Sequence, residues 1–463
     1  MVRDIERSVN RERGWNRLFP THSADHRRHN ADGPKRIPVD PGPLSTANDE
    51  EEHLGLLGRV ALLAASAFAF NVGFRVQAGP ETLWVLLGML AYGSALICLI
   101  SAFLAREAWS NRIQTLVAIL LASLIALAVG YEITVLNPNY ATDVMAFAHG
   151  GAEILLDGNN PYAASPGAVD QIAERFGVSL TRTTDGGVID WLISYPALHV
   201  LTFTALIAAE FADLRWGTLI IELIALTLIW RAMSPKGRLL APFVLLMEPF
   251  LSVIFTGGGV TDWLWVLPLA LTAISLHRRQ FGYAGIALGL ACAVKQHPWF
   301  VVPFVLIWVV QTLRSEGDGR LTGEGRRSIA GFAAGATAGF MVPNLPFIIW
   351  DPAEWFEGVM SPALGGMVAD GHGIAALVAR GVLDLQPGIF LALIAAAFLG
   401  AIVLYARRFE RLQDLLWVLP PVIMFLSFRS LHSYFVFWLP IALLWLDLRA
   451  VGGRKSRAVH PSS

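Results

Sequence analysis

Thirteen apolar runs, 12 to 23 residues long, recur between residues 54 and 446. A helix needs about 20 such residues to cross the hydrocarbon core of a bilayer. An open sheet leaves backbone groups unsatisfied in lipid, so the runs are read as helices. They cover residues 54–76, 82–104, 113–135, 192–211, 216–230, 239–255, 263–276, 283–294, 299–313, 329–350, 389–405, 412–428 and 434–446. Only 15% of residues are charged and 55% are hydrophobic, against about 25% charged in a soluble chain. Mean hydropathy is +0.54. A soluble enzyme, a disordered protein and a nucleic-acid binder are excluded. Fifteen Trp and 26 Phe suit aromatic belts at lipid–water boundaries. Cys98 and Cys292 lie far apart in apolar runs, so neither a disulfide framework nor a CxxC zinc motif is present.

Residues 1–53 are polar, Arg-rich and broken by Pro and Gly, which predicts a disordered tail. Short loops rich in Lys and Arg mark the cytoplasmic side. Arg106 and Arg112 flank one, Lys236 and Arg238 another, and Arg278 with Arg279 a third; Arg314 to Arg327 and Arg407 to Arg411 supply two more. The end of the chain, 449–463, is basic as well. Thirteen crossings would place two basic termini on opposite sides. A single net passage over 192–230 resolves the conflict, leaving about twelve crossings (11–13) and both termini in the cytoplasm.

Loops 136–190, 256–262, 295–298, 351–387 and 429–433 then fall on the outer side. They carry Asp143, His149, Asp262, Lys295, His297, Asp370, His372, Arg429 and His432. Lys295 and Arg429 run against the positive-inside bias, and ionisable groups at membrane depth mark functional candidates. In the first outer loop, Thr142 is placed to cap a helix that Gly158 and Pro161 end. Val144, Phe147, Ala148, Gly151 and Leu155 share one side, which predicts an amphipathic helix along the membrane surface. Asp143 in its first turn reads either as a capping acid or as a base at the lipid–water boundary.

The order of short motifs resembles the GT-C superfamily of polytopic glycosyltransferases. It is closest to bacterial polyprenyl-phosphate-mannose-dependent mannosyltransferases and their arabinofuranosyltransferase relatives. Asp143 is followed by Leu155-Leu156-Asp157-Gly158-Asn159-Asn160-Pro161-Tyr162; then come Ser194-Tyr195-Pro196-Ala197-Leu198, Glu248-Pro249-Phe250-Leu251 and Gly257 to Asp262. Ala293-Val294-Lys295-Gln296-His297-Pro298 and Arg429-Ser430-Leu431-His432-Ser433-Tyr434 complete the series. Ala197 stands where a second Pro is common, and Glu248 where Asn is common.

The resemblance implies an all-α, GT-C-like bundle over 113–448, with two extra N-terminal helices in 54–112. It also implies transfer of one sugar, mannose or a relative, from a polyprenyl phosphate to an outer-face hydroxyl of a lipid, glycan or protein, with inversion. By position Asp143 becomes the general base. Arg429, Lys295, His432 and His297 are candidates for the donor phosphate, since fixed cations stabilise the charge that develops on it. His149, Tyr162, Tyr195, Asp262 and His372 are candidates for substrate contact. The lipid-linked sugar is a co-substrate, and neither a cofactor nor a metal is expected; nucleic acid is not a partner. Three readings stand at this point. They are this transferase of the cell membrane, a polytopic transporter or lipid flippase, and another outer-face transferase such as an oligosaccharide ligase.

Overall fold

The computed structural model describes residues 46–104, 110–247, 253–364 and 366–459. Contacts divide the chain into units 1–50 and 51–463; of the first, only the opening turn of a helix is described. Most of the expected N-terminal tail therefore lies outside the described residues, as do Glu248-Pro249-Phe250-Leu251 and the last four positions.

The described residues are mostly helical, with a single two-stranded pairing. Among the described residues seven helices are long and apolar enough to cross a membrane, and three shorter apolar helices accompany them. This is a multi-pass all-α membrane protein. The first helix, α1 (Thr46–Val76), starts before residue 54, inside the segment expected to be unstructured. With α2 (Thr82–Leu104) and α3 (Asn111–Tyr131) it builds one apolar core. Ala61, Ala65 and Ala69 on α1 and Ala91, Ala95 and Ala102 on α2 are buried, the small-residue stripes that let helix backbones approach in lipid. Ser66 Oγ donates to the Ala95 carbonyl at 2.8 Å, and Arg59 Nη1 to that of Ala102 at 2.8 Å.

The second core holds the rest. Residues Asp143–Leu156 form α4, and Thr142 Oγ1 accepts from the Met145 amide at 3.4 Å. Gly158 ends it at φ +80°, a left-handed conformation that glycine adopts without strain. One expectation fails here. Eight consecutive residues, Met145 to Ala152, are buried. They take in every side of two turns, so α4 is packed within protein rather than apolar on one side only. It contacts α5 (Pro166–Phe176) and α6 (Leu198–Ala208). Helix α6 has 11 residues, about 16 Å, roughly half the hydrocarbon core. A separate α7 (Leu214–Ala232) follows.

Fully buried Arg215 on α7 ties these pieces together. It donates to the carbonyls of Asn137, Asn139 and Gly257 through Nη1, and to Asp213 Oδ2 at 2.6 Å through Nη2. Of the run expected over 239–255, residues 248–252 lie outside the described residues; α8 (Ala241–Met247) precedes them and the four-residue α9 (Phe255–Gly258) follows.

Helix α10 (Trp263–His277) is buried on nearly all sides, as expected of a helix apolar all round. A tight turn connects it to α11 (Phe281–Val294). The two have 15 and 14 residues. Near-equal lengths on one turn bring the residue before α10, Asp262, level with the residue after α11, Lys295. The structural cause of their meeting is this hairpin.

Helix α11 lies against α13 (Gly323–Trp350), which follows α12 (Val302–Glu316). Gly285 and Gly289 of α11 face Gly335 and Gly339 of α13 so closely that a methyl on any of them would run into the other helix's backbone. The chain continues through α14 (Pro352–Leu364), α15 (Gly373–Ala379) and α16 (Pro387–Arg407). The run expected at 412–428 is not one helix. It divides into α17 (Phe409–Leu412), a 3-10 turn and α18 (Leu419–Met424), where Pro420 and Pro421 remove backbone donors. Then α19 (Ser433–Val436) and α20 (Leu439–Val459) complete the bundle. The expected basic tail begins inside α20. Cys98 and Cys292 are both buried and unbridged.

Candidate functional site

A cavity of about 770 Å³ opens among the loops at one end of the bundle. Asp143, Tyr195, Asp262, Lys295, His297 and Arg429 all line it. Six of the ten residues singled out from the sequence are thus brought together from five separate stretches of chain.

Local structure places each of them. Asp143 opens α4 and is half-buried; Thr181 Oγ1 donates to its Oδ2 at 2.8 Å. Lys295 Nζ lies 3.1 and 3.0 Å from the two carboxylate oxygens of fully buried Asp262. Trp265 Nε1 donates to Asp262 Oδ1 at 2.6 Å, and His297 Nδ1 stands 3.6 Å from that oxygen. Tyr195 and Tyr434 flank the ammonium, with Nζ 5.2 and 5.9 Å from their ring centres. Asp262 is therefore the partner that orients Lys295, which does not stand as a free point charge. Arg429 is held far less tightly: its Nη2 is 4.0 Å from the carboxylate of exposed Asp370.

The loops around the cavity are joined edge to edge. Asp370–Gly371 pairs in parallel with Arg429–Ser430. The Thr184 amide donates to the Gly366 carbonyl at 2.7 Å and the Val368 amide to that of Arg182 at 3.1 Å. The Ser194-Tyr195-Pro196-Ala197 turn, whose first two residues also line the cavity, is held by three side-chain hydrogen bonds. Tyr162 Oη donates to the Tyr195 carbonyl, Gln296 Nε2 to that of Ser194, and the Ala197 amide to Asn344 Oδ1.

Four expected site residues lie elsewhere. Tyr162 is buried and structural, its hydroxyl spent on the Tyr195 carbonyl at 2.7 Å. His149 sits on another side of α4, with Nδ1 2.8 Å from Tyr140 Oη and Nε2 3.4 Å from Glu153 Oε1. Burial pushes its imidazole below the ordinary range, against the pull of Glu153. Two hydrogen bonds from Arg175, at 2.6 and 2.9 Å, hold the Glu153 carboxyl below the usual carboxylate range. His372 and His432 are exposed, with ring centres 5.5 Å apart, and neither lines the cavity. His372 directly follows one strand of the two-strand pairing, and His432 lies two residues beyond the end of the other.

Sequence reasoning missed three lining residues, Thr181, His199 and Tyr434. His199 is buried, with Nε2 3.0 Å from Thr261 Oγ1. It stands four residues after Tyr195, which lies in the turn before α6, and its ring centre is 4.6 Å from that ring; no regular spacing marks it in the sequence. Tyr434 ends the motif that supplies Arg429. Away from the polar groups the lining is apolar and includes Trp299, Phe300, Leu391, Ile394 and Phe398. Trp350, Trp355 and Trp438 are not part of it. No group of three or more metal-ligating side chains occurs among the described residues.

Comparison with known protein families, with curated proteins and with solved structures gives no match to this chain.

Proposed function

We propose that this protein is a membrane glycosyltransferase that moves one sugar, mannose or a relative, from a polyprenyl phosphate to a hydroxyl on the extracytoplasmic face. The observation that carries the reading is a single cavity that joins a carboxylate free of any ion pair among the described residues, two cations and an apolar wall. In this reading the bundle is GT-C-like, with about twelve passages and both termini cytoplasmic.

The acceptor oxygen attacks the anomeric carbon from the face opposite the phosphate. Its proton passes to Asp143, the carbon–oxygen bond to phosphate breaks, and polyprenyl phosphate leaves with the electron pair, inverting the centre. Arg429 takes the departing phosphate, because a guanidinium matches two oxygens in parallel. Donor binding draws it away from Asp370, a pairing weak enough to exchange. The Lys295–Asp262 pair contributes an oriented ammonium that stabilises developing charge, and His297 stands beside it. Trp299, Phe300 and Phe398 suit the first isoprene units. The donor is a co-substrate, and each of these steps uses the chain's own groups.

The test is transfer from a synthetic polyprenyl-phosphate mannose to a membrane lipid extract. Asp143→Asn is expected to abolish it while protein abundance stays constant. Full activity in that variant removes Asp143 from its role. A transporter or lipid flippase would instead move substrate across sealed vesicles and form no glycosidic bond.

A further inference from the structure

Among the described residues the Asp143 carboxylate has one side-chain partner, Thr181, whose Oγ1 donates to Oδ2 at 2.8 Å. A hydroxyl has a single proton to give, and here it is given to the carboxylate. We infer that Thr181 is the positioning residue of this site: it fixes Oδ2 and so directs Oδ1 to the proton of the acceptor hydroxyl. The inference deepens the glycosyl-transfer reading above and rests on it.

Three observations beyond the hydrogen bond support the assignment. Thr181 and its neighbours Ser179 and Leu180 line the cavity beside Asp143. The Thr181 backbone is fixed, since its carbonyl accepts from the Ile189 amide at 3.0 Å, inside a loop where the Thr183 amide also reaches the Gly187 carbonyl at 3.0 Å. Being β-branched, its side chain has few rotamers to lose on such a backbone.

The third observation concerns where that loop leads. Residues 182–184 hydrogen-bond to 366–368. The same segment runs on to Asp370, whose amide donates to the Phe428 carbonyl at 2.9 Å, and to His372, whose amide donates to that of Ser430 at 2.7 Å. One run of main-chain hydrogen bonds thus begins at Arg182, the residue next to Thr181, and ends on the strand that carries Arg429. The proton acceptor and the phosphate cation are set by the same backbone. A carboxylate released from Thr181 keeps its place at the start of α4 but loses its fixed rotation, and misalignment of a reacting group by about 1 Å costs on the order of 10²-fold in rate.

The test compares the purified full-length wild type with Thr181→Val, which keeps the bulk, and Thr181→Ser, which keeps the hydroxyl. The probes are a synthetic polyprenyl-phosphate mannose as donor and octyl mannoside as acceptor. We expect Thr181→Val to lose on the order of 10²-fold in kcat with little change in donor KM, and Thr181→Ser to recover most of the loss. A merely structural threonine would not divide kcat from KM in this way, nor be rescued by the smaller hydroxyl residue. A second readout does not depend on turnover. The infrared carboxylate stretch of Asp143, isolated by subtracting the Asp143→Asn spectrum, should shift in Thr181→Val and return in Thr181→Ser. An unshifted band in Thr181→Val overturns the inference, as does wild-type kcat in that variant. A wild type that transfers no sugar to any acceptor overturns the reading beneath it, even where the band shifts.

Discussion

Lys295 and Asp262 form a buried ion pair at the open end of the α10–α11 hairpin, with Nζ 3.0 and 3.1 Å from the two carboxylate oxygens. Their side chains are 6% and 1% exposed, so neither charge has water as an alternative partner. Removing one partner of such a pair strands the other, at a cost of about 3–5 kcal/mol. Lys295→Met is therefore expected to lower thermal stability in detergent by that amount. The double variant Lys295→Met/Asp262→Leu should recover most of it, because an apolar replacement of the whole pair is often neutral. The double variant is nonetheless expected to transfer sugar poorly. A single variant as stable as wild type sinks the account of the pair.

Arg429 is the opposite case, a cation whose acid partner stands at 4.0 Å and is itself exposed. Its proposed work is two parallel hydrogen bonds to a phosphate. Lysine retains the charge but has no planar fork. Arg429→Lys is expected to raise donor KM about tenfold, a difference of about 1.4 kcal/mol in binding. Donor titration in the transfer assay reads this directly. An unchanged KM would assign the phosphate to another group.

Much of this arrangement was legible in the sequence, for reasons that can be stated residue by residue. Thr142 as cap and Gly158 as stop are local signals, and α4 has both. Asp262 and Lys295 are each uncommon residues beside apolar runs, and a short hairpin between those runs leaves them level. What was not legible depends on contacts distant in sequence. His149 has the spacing of a site residue, but Tyr140 and Glu153 occupy both its nitrogens. Tyr162 belongs to a motif whose partner is a backbone carbonyl 33 residues away. Thr181 carries no motif at all; only the folded loop places its hydroxyl on Asp143. Helix length misled as well, since 412–428 is as apolar as its neighbours while Pro420 and Pro421 interrupt it.

The packing of α4 on α5 should depend on pH through His149, Glu153 and Arg175. Folding holds the His149 imidazole below its ordinary value of 6.5. As pH falls past that value, the unfolded segment binds a proton that the packed one does not, and stability declines. Glu153 is held below its ordinary 4.5, so its contribution is present above that pH and is lost as pH falls through the lowered value. Both effects have the same sign. Amide hydrogen exchange over 143–176, corrected for its intrinsic pH dependence, should show protection falling between about pH 7 and about pH 5 and again in stronger acid. Constant protection across that range contradicts the assignment.

The α11–α13 crossing supplies a stricter test of how the site is held. Gly285 and Gly289 meet the backbone of α13 at the carbonyls of Phe332 and Ala336, while Gly331 on α13 faces open space. Alanine at 285 or 289 cannot be absorbed by a side-chain rotation, because the obstructing atoms are main chain. Each is expected to cost about 1–3 kcal/mol as an overpacked contact. Gly331→Ala, with no such contact, should instead gain up to about 1 kcal/mol from helix propensity. Opposite signs from the same chemical change separate close approach from propensity in one thermal-unfolding series. The crossing also bears on the cavity, since α11 ends at Lys295 and Asn344 of α13 accepts from the Ala197 amide beside Tyr195. Forcing the helices apart moves both walls, so Gly289→Ala should lose transfer activity beyond its loss of folded protein, whereas Gly331→Ala should keep it.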